Sequence, residues 1–426
     1  MTDRLADWAR SGVVALTGRP GGPPLVPPGR AATVAGELAT RFAAVTGVHV
    51  DGAALLSERA AFTGRRRRGA VSAAGACRLL PTADGWAAVT CARPDDPALL
   101  GALAGREVGD DPWPAVCRWL RAHTGADLAR RAELLGIAAG PVAAAPASPT
   151  TPVTWANSAA PSARPLAGAL VADFSALWAG PLCAHLLGLA GARVVKVETP
   201  WRPDGARRGN AAFYDLLHAG HRSVVLDPDT SGGRAAMAGL VAAADIVIES
   251  SRPRALARFG LDAGAAVAQG ATWVSITAYG RASGRVGFGD DVAAASGLVA
   301  GDTGGSPVFC GDAIADPLTG LTAAVRAACA PAGGALLDIA MADVVAATVI
   351  DATVFDATVV AATPDPVLDQ ARPSPAARRD AGGWVVDTPA GPVPVARPRR
   401  RQARGSGARS GEHTDEVLRE LGIGAR

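Results

Sequence analysis

Apolar residues change their rhythm part-way along this chain. Beyond residue 166, short apolar runs near 169–174, 193–197, 222–226, 245–249 and 272–277 have the character of buried strands, while apolar positions near 181–190, 232–243, 253–258 and 262–268 recur at helical spacing. Strand alternating with helix predicts a parallel sheet with right-handed crossovers, an α/β domain of Rossmann-like type. Such a sheet takes its ligand beyond the carboxyl ends of the strands, which directs attention to Ala176–Gly180, Glu198–Thr199, Ser250–Arg254 and Tyr279-Gly280. A second helical block, Leu318–Cys329 and Ala340–Asp351, follows.

Residues 1–140 are patterned differently. Ala31–Thr46 has helical apolar spacing, Gly85–Cys91 (GWAAVTC) reads as a strand, and Trp113–Leu135 reads as a pair of helices. Pro and Ala crowd 141–165, a composition of extended, poorly packed chain and the best boundary in the sequence. The expected division is therefore a region 1–145, a linker 146–165, a sheet domain 166–360 and a tail 361–426, whose Pro, Arg and Gly at 363–411 suit a segment wrapped over the surface. The run Arg65–Arg68 could suit an acidic partner, but a solvated turn is the favoured reading, because adjacent like charges cannot all face one ligand.

The densest local signal is LVADFSALWAGPLCAHLLGLAGARVVKVETP at 170–200: strand, Gly-Pro turn, apolar helix, second strand. Gly180 would let a ligand approach the backbone, Pro181 costs only a donor that a first helical turn leaves orphaned, and the free N–H groups there suit a phosphate. An ordinary crossover in any parallel sheet reads the same way.

Composition narrows the partners. Of the 426 residues 49% are hydrophobic and 19% charged, which suits a soluble globular protein of two or three domains. A net charge of +3 argues for no nucleic-acid partner, since that binding needs a concentrated basic face. Lys196 is the only lysine; at a strand end such a residue is more often solvated than catalytic. The six cysteines, Cys77, Cys91, Cys117, Cys183, Cys310 and Cys329, form no CxxC pair and suit buried reduced thiols, so no metal site is expected. MTDRLADWAR is charged where a signal peptide needs an apolar core, and no later run is apolar for a membrane-spanning length; the expectation is a cytoplasmic protein with no membrane partner.

Asp316 stands in CGDAIADPLTGL, between strand-like Pro307–Cys310 and an apolar helix. An aspartate before a proline at a helix start is the mark of an N-cap. The place equally suits a nucleophilic carboxylate, held ionised by helix N-terminal N–H groups.

The order of segments carries a resemblance. The stretch just quoted, then GHRSVVLDP, AADIVIESSRPRALARFGL, WVSITAYG, DDVAAASGL, GDAIADPLTGL and GALLDIAMADVV, resembles the class III CoA-transferase family, which also holds the α-methylacyl-CoA racemases; GEHTDEVLRELGI looks like that family's C-terminal signature. LTGRPGGPPLVPP, DGWAAVTCARPDD and LGIAAGPV resemble pieces of the family's small α+β domain, here displaced ahead of the sheet domain.

What the resemblance implies is an enzyme that moves CoA from an acyl-CoA to a carboxylic acid. Asp316 matches the family's nucleophile, which attacks the thioester, and each later step exchanges one acyl group for another, so CoA is substrate and product and no resident metal or redox group is needed. Gly301–Gly305 (GDTGG) is a candidate for stabilising oxyanions, with a plain loop the alternative. Asp290 falls where racemases carry a histidine acid–base group and transferases can carry a carboxylate, which favours the transferase; a simple loop or cap pair with Asp291 is the alternative. For CoA, the resemblance points to Ala176, Trp178, Ala179, Thr199, Ser250, Arg252 and Arg258, with Arg254 in place of a usual glycine. Trp178 would stack on adenine or narrow the acyl pocket, and the arginines suit phosphate, although each alone could equally be solvated. His221 replaces a common lysine, and Lys196 with Glu198 keeps the family's KVE as a structural pair. An acyl-CoA racemase and a non-catalytic CoA-binding homologue are the competing functions. Family members form dimers whose chains thread through each other, so a homodimer is implied.

Overall fold

The computed structural model describes residues 3–143, 164–251, 253–349 and 373–423. Three antiparallel strands, β1 (Cys77–Pro81), β2 (Trp86–Thr90) and β3 (Ala139–Pro141), lie in the N-terminal region. The large sheet uses β4 (Leu170–Asp173), β5 (Arg193–Glu198), β6 (Arg222–Val225), β7 (Ile246–Glu249), β8 (Thr272–Thr277) and, after the hairpin β9 (Val299–Gly301) and β10 (Pro307–Phe309), β11 (Ala335–Ala340). The tail folds as β12 (Arg378–Asp380), β13 (Gly383–Thr388) and β14 (Gly391–Pro394), a second antiparallel trio.

The large sheet is wholly parallel and ordered β11-β8-β7-β4-β5-β6. This is the doubly wound order, with its switch point between β4 and β7. All five expected strands are present within a residue or two, as are the expected helices at Ala179–Leu189, Ser231–Ala243, Pro253–Arg258 and Ala263–Ala268. The sixth strand, Ala335–Ala340, lies just ahead of the helix Met341–Val349, between the two expected helices in a stretch for which no element was expected. In the N-terminal region Ala31–Thr46 is a helix, and Trp113–Arg121 and Gly125–Leu135 form the expected pair. The C-terminal helix Thr414–Glu420 packs on the edge strand β6, where His413 N–H donates to Ser223 O at 2.9 Å and Val225 N–H to Thr414 Oγ1 at 3.1 Å.

Apolar burial joins the N-terminal region to the sheet. One hydrophobic cluster holds Trp8, Val14, Leu38 and Phe42 together with Val171, Leu182, Ile248, Leu318 and Leu321. The helix Ala315–Ala328 is its centre: it packs against Ala179–Leu189 on one side and Ala31–Thr46 on another. Its approach to the first is close because Gly320 has no side chain; a methyl there would stand 2.5 Å from Ala179 O. Gly180 has a related use. A methyl on it would meet Ser175 at 2.2 Å, so the space expected to admit a ligand is filled by Ser175.

Candidate active site

The carboxyl end of β4 turns through Phe174–Trp178. At the switch point Ala176 N–H donates to Ser250 Oγ at 3.1 Å, tying this turn to the end of β7. Leu177 has a φ of 71°, a left-handed conformation unusual for a branched side chain, and its N–H donates to Asp204 Oδ1 at 3.0 Å. Beneath the turn lies Lys196. Its ammonium, 1% exposed, donates to Asp204 Oδ2 at 2.9 Å and Ser175 O at 2.8 Å and stands 3.8 Å from Asp173. The expected Lys196–Glu198 pair is not formed, because Glu198 takes the Arg207 guanidinium instead. Nor is the lone lysine solvated, since the strand end is roofed by the loop that carries Asp204.

Four acids gather at the start of two helices. Asp316 sits in the first turn of Ala315–Ala328, one residue inside it, with Ile314 at the cap position. It is therefore not the N-cap; its own N–H closes on Ala313 O at 2.9 Å. Ala313 has φ 48°, a second strained backbone position at the site, and its N–H donates to Asp290 Oδ1 at 2.8 Å. Gly289, which opens the helix Gly289–Ala295, donates its N–H to the Asp316 carboxyl group. Asp291 accepts from Phe288 N–H and from Thr90 Oγ1, both at 2.9 Å. Asp312, wholly buried, receives Arg59 through two bonds, Nε to Oδ2 at 2.9 Å and Nη2 to Oδ1 at 2.7 Å, and Arg65 Nη1 at 2.9 Å.

These contacts sort the acids by charge. Burial pushes Asp312 up, but Arg59 and Arg65 outweigh it and hold the carboxyl below the usual range. Asp316 is pushed up to about 7 by burial, with Arg59 opposing and Asp290 and Asp312 adding to the rise. Burial and the Asp312 charge take Asp290 to about 6, and burial takes Asp291 to about 7. Asp316 alone of the four keeps part of its surface open. One buried ionised acid thus anchors two arginines beside a partly open carboxyl that titrates near neutrality, the tuning expected of a reactive group.

Arg59 joins the two halves of the site. Its guanidinium lies 4.4 Å from the centroid of the Trp178 ring while its nitrogens hold Asp312. Trp178 is 1% exposed and meets Phe213 edge-on at 5.4 Å, so its ring packs inside the protein and leaves no exposed face for adenine.

A profile of CoA-transferase family III matches residues 166–383, just over half of the chain. The chain belongs to CoA-transferase family III. Among its relatives, the succinate–glutarate CoA-transferase of Agrobacterium fabrum is 34% identical over 187 residues, covering 38% of this chain and 46% of the relative. The succinyl-CoA–D-citramalate CoA-transferase of Chloroflexus aurantiacus is 30% identical over 178 residues, covering 38% of this chain and 44% of the relative. The chain thus spans about half the length of the curated relatives it matches. A CaiB/BaiF family protein from Brucella suis has 29% identity, with 43% of this chain and 55% of that one covered, at a TM-score of 0.40.

Of the family positions, Asp316 and Asp290 come together, and Ala176 meets Ser250. Ala179 is buried, Thr199 is half-buried in a tight turn closed by Arg202 N–H on Thr199 O at 3.2 Å, and Arg254 and Arg258 are exposed; Arg252 lies outside the described residues. The oxyanion candidate Gly301–Gly305 is a hairpin turn. Gly304 and Ser306 N–H donate to Asp302 Oδ1, Gly305 N–H to Asp302 O and Gly301 N–H to Ser374 Oγ, so these donors are already occupied. Arg65 is not solvated but bound to Asp312, and Arg67 donates to the Ala15, Arg19 and Gly22 carbonyls. Arg59, Asp312 and Gly289 were not singled out by the sequence, and Arg65 only within the run read as a solvated turn. Asp312 lies inside the quoted CGDAIADPLTGL, but nothing local marks the arginines that reach it. No helix among the described residues is long and apolar enough to cross a membrane.

Proposed function

We propose that the protein is a CoA-transferase that moves CoA from an acyl-CoA to a carboxylic acid through a covalent intermediate on Asp316. The observation that carries this reading is the Asp316 carboxyl itself: partly open, held by Gly289 N–H, and titrating near neutrality beside Arg59. Relatives named for CoA transfer between carboxylic acids support it.

The ionised Asp316 adds to the thioester carbonyl and expels CoA as a thiolate, leaving a mixed anhydride. The thiolate returns to the aspartyl carbonyl, forms an aspartyl-CoA thioester and releases the donor acid. The acceptor carboxylate then attacks that thioester, the thiolate leaves again, and its attack on the acceptor's side of the new anhydride yields the product and restores the Asp316 carboxylate. Every bond broken is an acyl bond and every one formed is another, so electrons and protons balance without a further reactant. Arg59 opposes the rise that burial imposes on Asp316, which favours its ionised form, and offers positive charge where oxyanions develop. Asp290, on the Ala313 N–H, fixes the strained turn from which the helix and Asp316 start. CoA would lie over the switch point, with Ala176, Thr199 and Ser250 along its path and Arg258 toward its phosphates. The racemase reading calls for a histidine where Asp290 stands, and no histidine takes that place in the chain.

Incubation with an acyl-CoA and hydroxylamine, followed by mass analysis of the peptide carrying Asp316, tests this directly. A hydroxamate on Asp316, absent from Asp316→Asn, is the expected result. Deuterium exchange beside the thioester without an acceptor acid, and no adduct, would replace transfer with racemisation.

A further inference from the structure

Two stretches of the chain repeat one pattern. WARSGVVALTGRPGGPPLVPPGRAATVAGEL at Trp8–Leu38 and VAAASGLVAGDTGGSPVFCGDAIADPLTGL at Val292–Leu321 share a Ser-Gly step, a Gly-Gly turn ahead of proline and an Ala-rich second helix. The structure repeats it as well. The helices Arg4–Arg10 and Gly289–Ala295 are equally long and end on Ser11 and Ser296, followed by Gly12 at φ 80° and Gly297 at φ 88°. The second helices begin at Ala31 and Ala315, each two residues after a left-handed position, Gly29 at φ 67° and Ala313 at φ 48°. Each unit also has a strand with a Gly-Trp step at its start and Thr at its end: β2, opening after Gly85 and ending at Thr90, and β13, from Gly383 to Thr388.

The two units are exchanged. Arg4–Arg10 packs on β13 and β14 of the tail, while Gly289–Ala295 packs on β2 and β3 of the N-terminal region. Val26 N–H donates to Pro375 O at 2.8 Å, and its counterpart Phe309 N–H donates to Gly69 O at 3.0 Å. Between them the second helices, Ala31–Thr46 and Ala315–Ala328, pack on each other. Each unit therefore closes over the other about an approximate twofold.

The chemistry is not repeated. Matched through the Ser-Gly steps and the helix starts, Asp290, Asp291, Asp312 and Asp316 correspond to Leu5, Ala6, Pro28 and Ala32. Ala32 is 1% exposed and lies in the hydrophobic cluster. What the N-terminal unit does contribute is directed at the other copy: Arg59 and Arg65 to Asp312, and Thr90 to Asp291.

We propose that the N-terminal region is a vacated second copy of the unit that carries Asp316, and that it completes the Asp316 site from within the same chain, as a partner subunit would. The functional half of this proposal rests on the transferase reading of Asp316; the exchange of units within one chain does not. The site then needs no second chain, in place of the homodimer that the family resemblance implies.

Two experiments test it. Leu25 and Ala376 face each other as an antiparallel bridge between the units, flanked by Val26 N–H to Pro375 O and Ala377 N–H to Pro24 O, the close kind of pair that accepts a disulfide. Mild oxidation of the double variant Leu25→Cys, Ala376→Cys is expected to give a cross-link of one-chain mass, seen as a reductant-sensitive shift absent from the parent protein. A two-chain product that reduction splits, or no cross-link, overturns the exchange within one chain whatever the activity. In the second, Asp316→Asn and the double variant Arg59→Ala, Arg65→Ala are assayed alone and co-expressed. Loss of transfer in each, with no recovery on co-expression, is expected. Recovery, or full activity of the arginine variant, overturns completion of the site by the same chain.

Discussion

The backbone N–H of Gly289 donates to the Asp316 carboxyl group, and a methyl on Gly289 would stand 2.2 Å from Asp316 Oδ2 and 2.5 Å from Ala313 O. No side chain fits without moving Asp316 or the strained turn beneath it. Gly289→Ala is therefore expected to lower kcat by about 100-fold or more, since displacement of a reacting group by about 1 Å costs that much. Because the clash is confined to the site, far-ultraviolet circular dichroism should stay that of the parent. Parent-like turnover in that variant would remove Asp316 from the chemistry.

The Asp316 carboxyl, at about 7, sets a pH dependence. The proposed mechanism uses the ionised form, so kcat/KM should rise with pH through about 7 and level off above it. Arg59 opposes the rise in this group, and it also neutralises Asp312. Arg59→Met leaves both negative charges of Asp312 and Asp290 facing Asp316, and the rising limb should move to higher pH. A rate profile of the parent and the variant checks the sign; an unmoved limb would mean that the guanidinium does not act on Asp316.

The sheet was legible because its strands are short apolar runs separated by helical spacing; the switch point was not, since the strand order comes only from the pairing. β11 was not, since GALLDIAM is an apolar run that fits either period, and only pairing with β8 decides it. At the site, Asp316 and Asp290 were singled out through the family motif, and the structure brings the two carboxyls together. Arg59 and Arg65 were missed because their partner Asp312 lies some 250 residues away in sequence, and a charge carries no mark of a distant counter-charge. Lys196 misled for a different reason: Asp204, which buries it, is near in sequence but comes from a loop with no periodicity.

Acid stability carries two opposed contributions. Burial holds His185 and His218 well below their ordinary range and takes His221 to about 3, so unfolding takes up protons once pH falls below about 6.5, and stability from these three is lost as pH drops from there, by at most about 1.4 kcal/mol per pH unit for each. Asp291 works the other way. Its folded value near 7 exceeds its unfolded value, so its contribution is complete below about pH 4 and is lost as pH rises toward 7. Asp291→Asn removes the opposing slope, so the loss of stability on going from about pH 6.5 to about 4 should become steeper, by at most about 1.4 kcal/mol per pH unit. Denaturant midpoints taken across that range distinguish the two; a parent-like slope in the variant would contradict the burial of Asp291.

Lys196 is the buried cation on which the turn before Trp178 depends. Its ammonium neutralises Asp204 at 2.9 Å, faces Asp173 at 3.8 Å and holds Ser175 O, while Asp204 in turn accepts Leu177 N–H and Ala206 N–H. Replacing it by methionine keeps the length of the side chain and removes the charge, which leaves two buried carboxylates facing each other. Breaking one side of a buried ion pair costs about 3–5 kcal/mol, more than a surface pair by several-fold. Lys196→Met should lose stability on that scale in denaturant titration. It should also raise KM for acyl-CoA, because the turn that carries Ala176 and meets Ser250 is then no longer anchored from below. A loss under about 1 kcal/mol would mean that the ammonium is not buried among these acids.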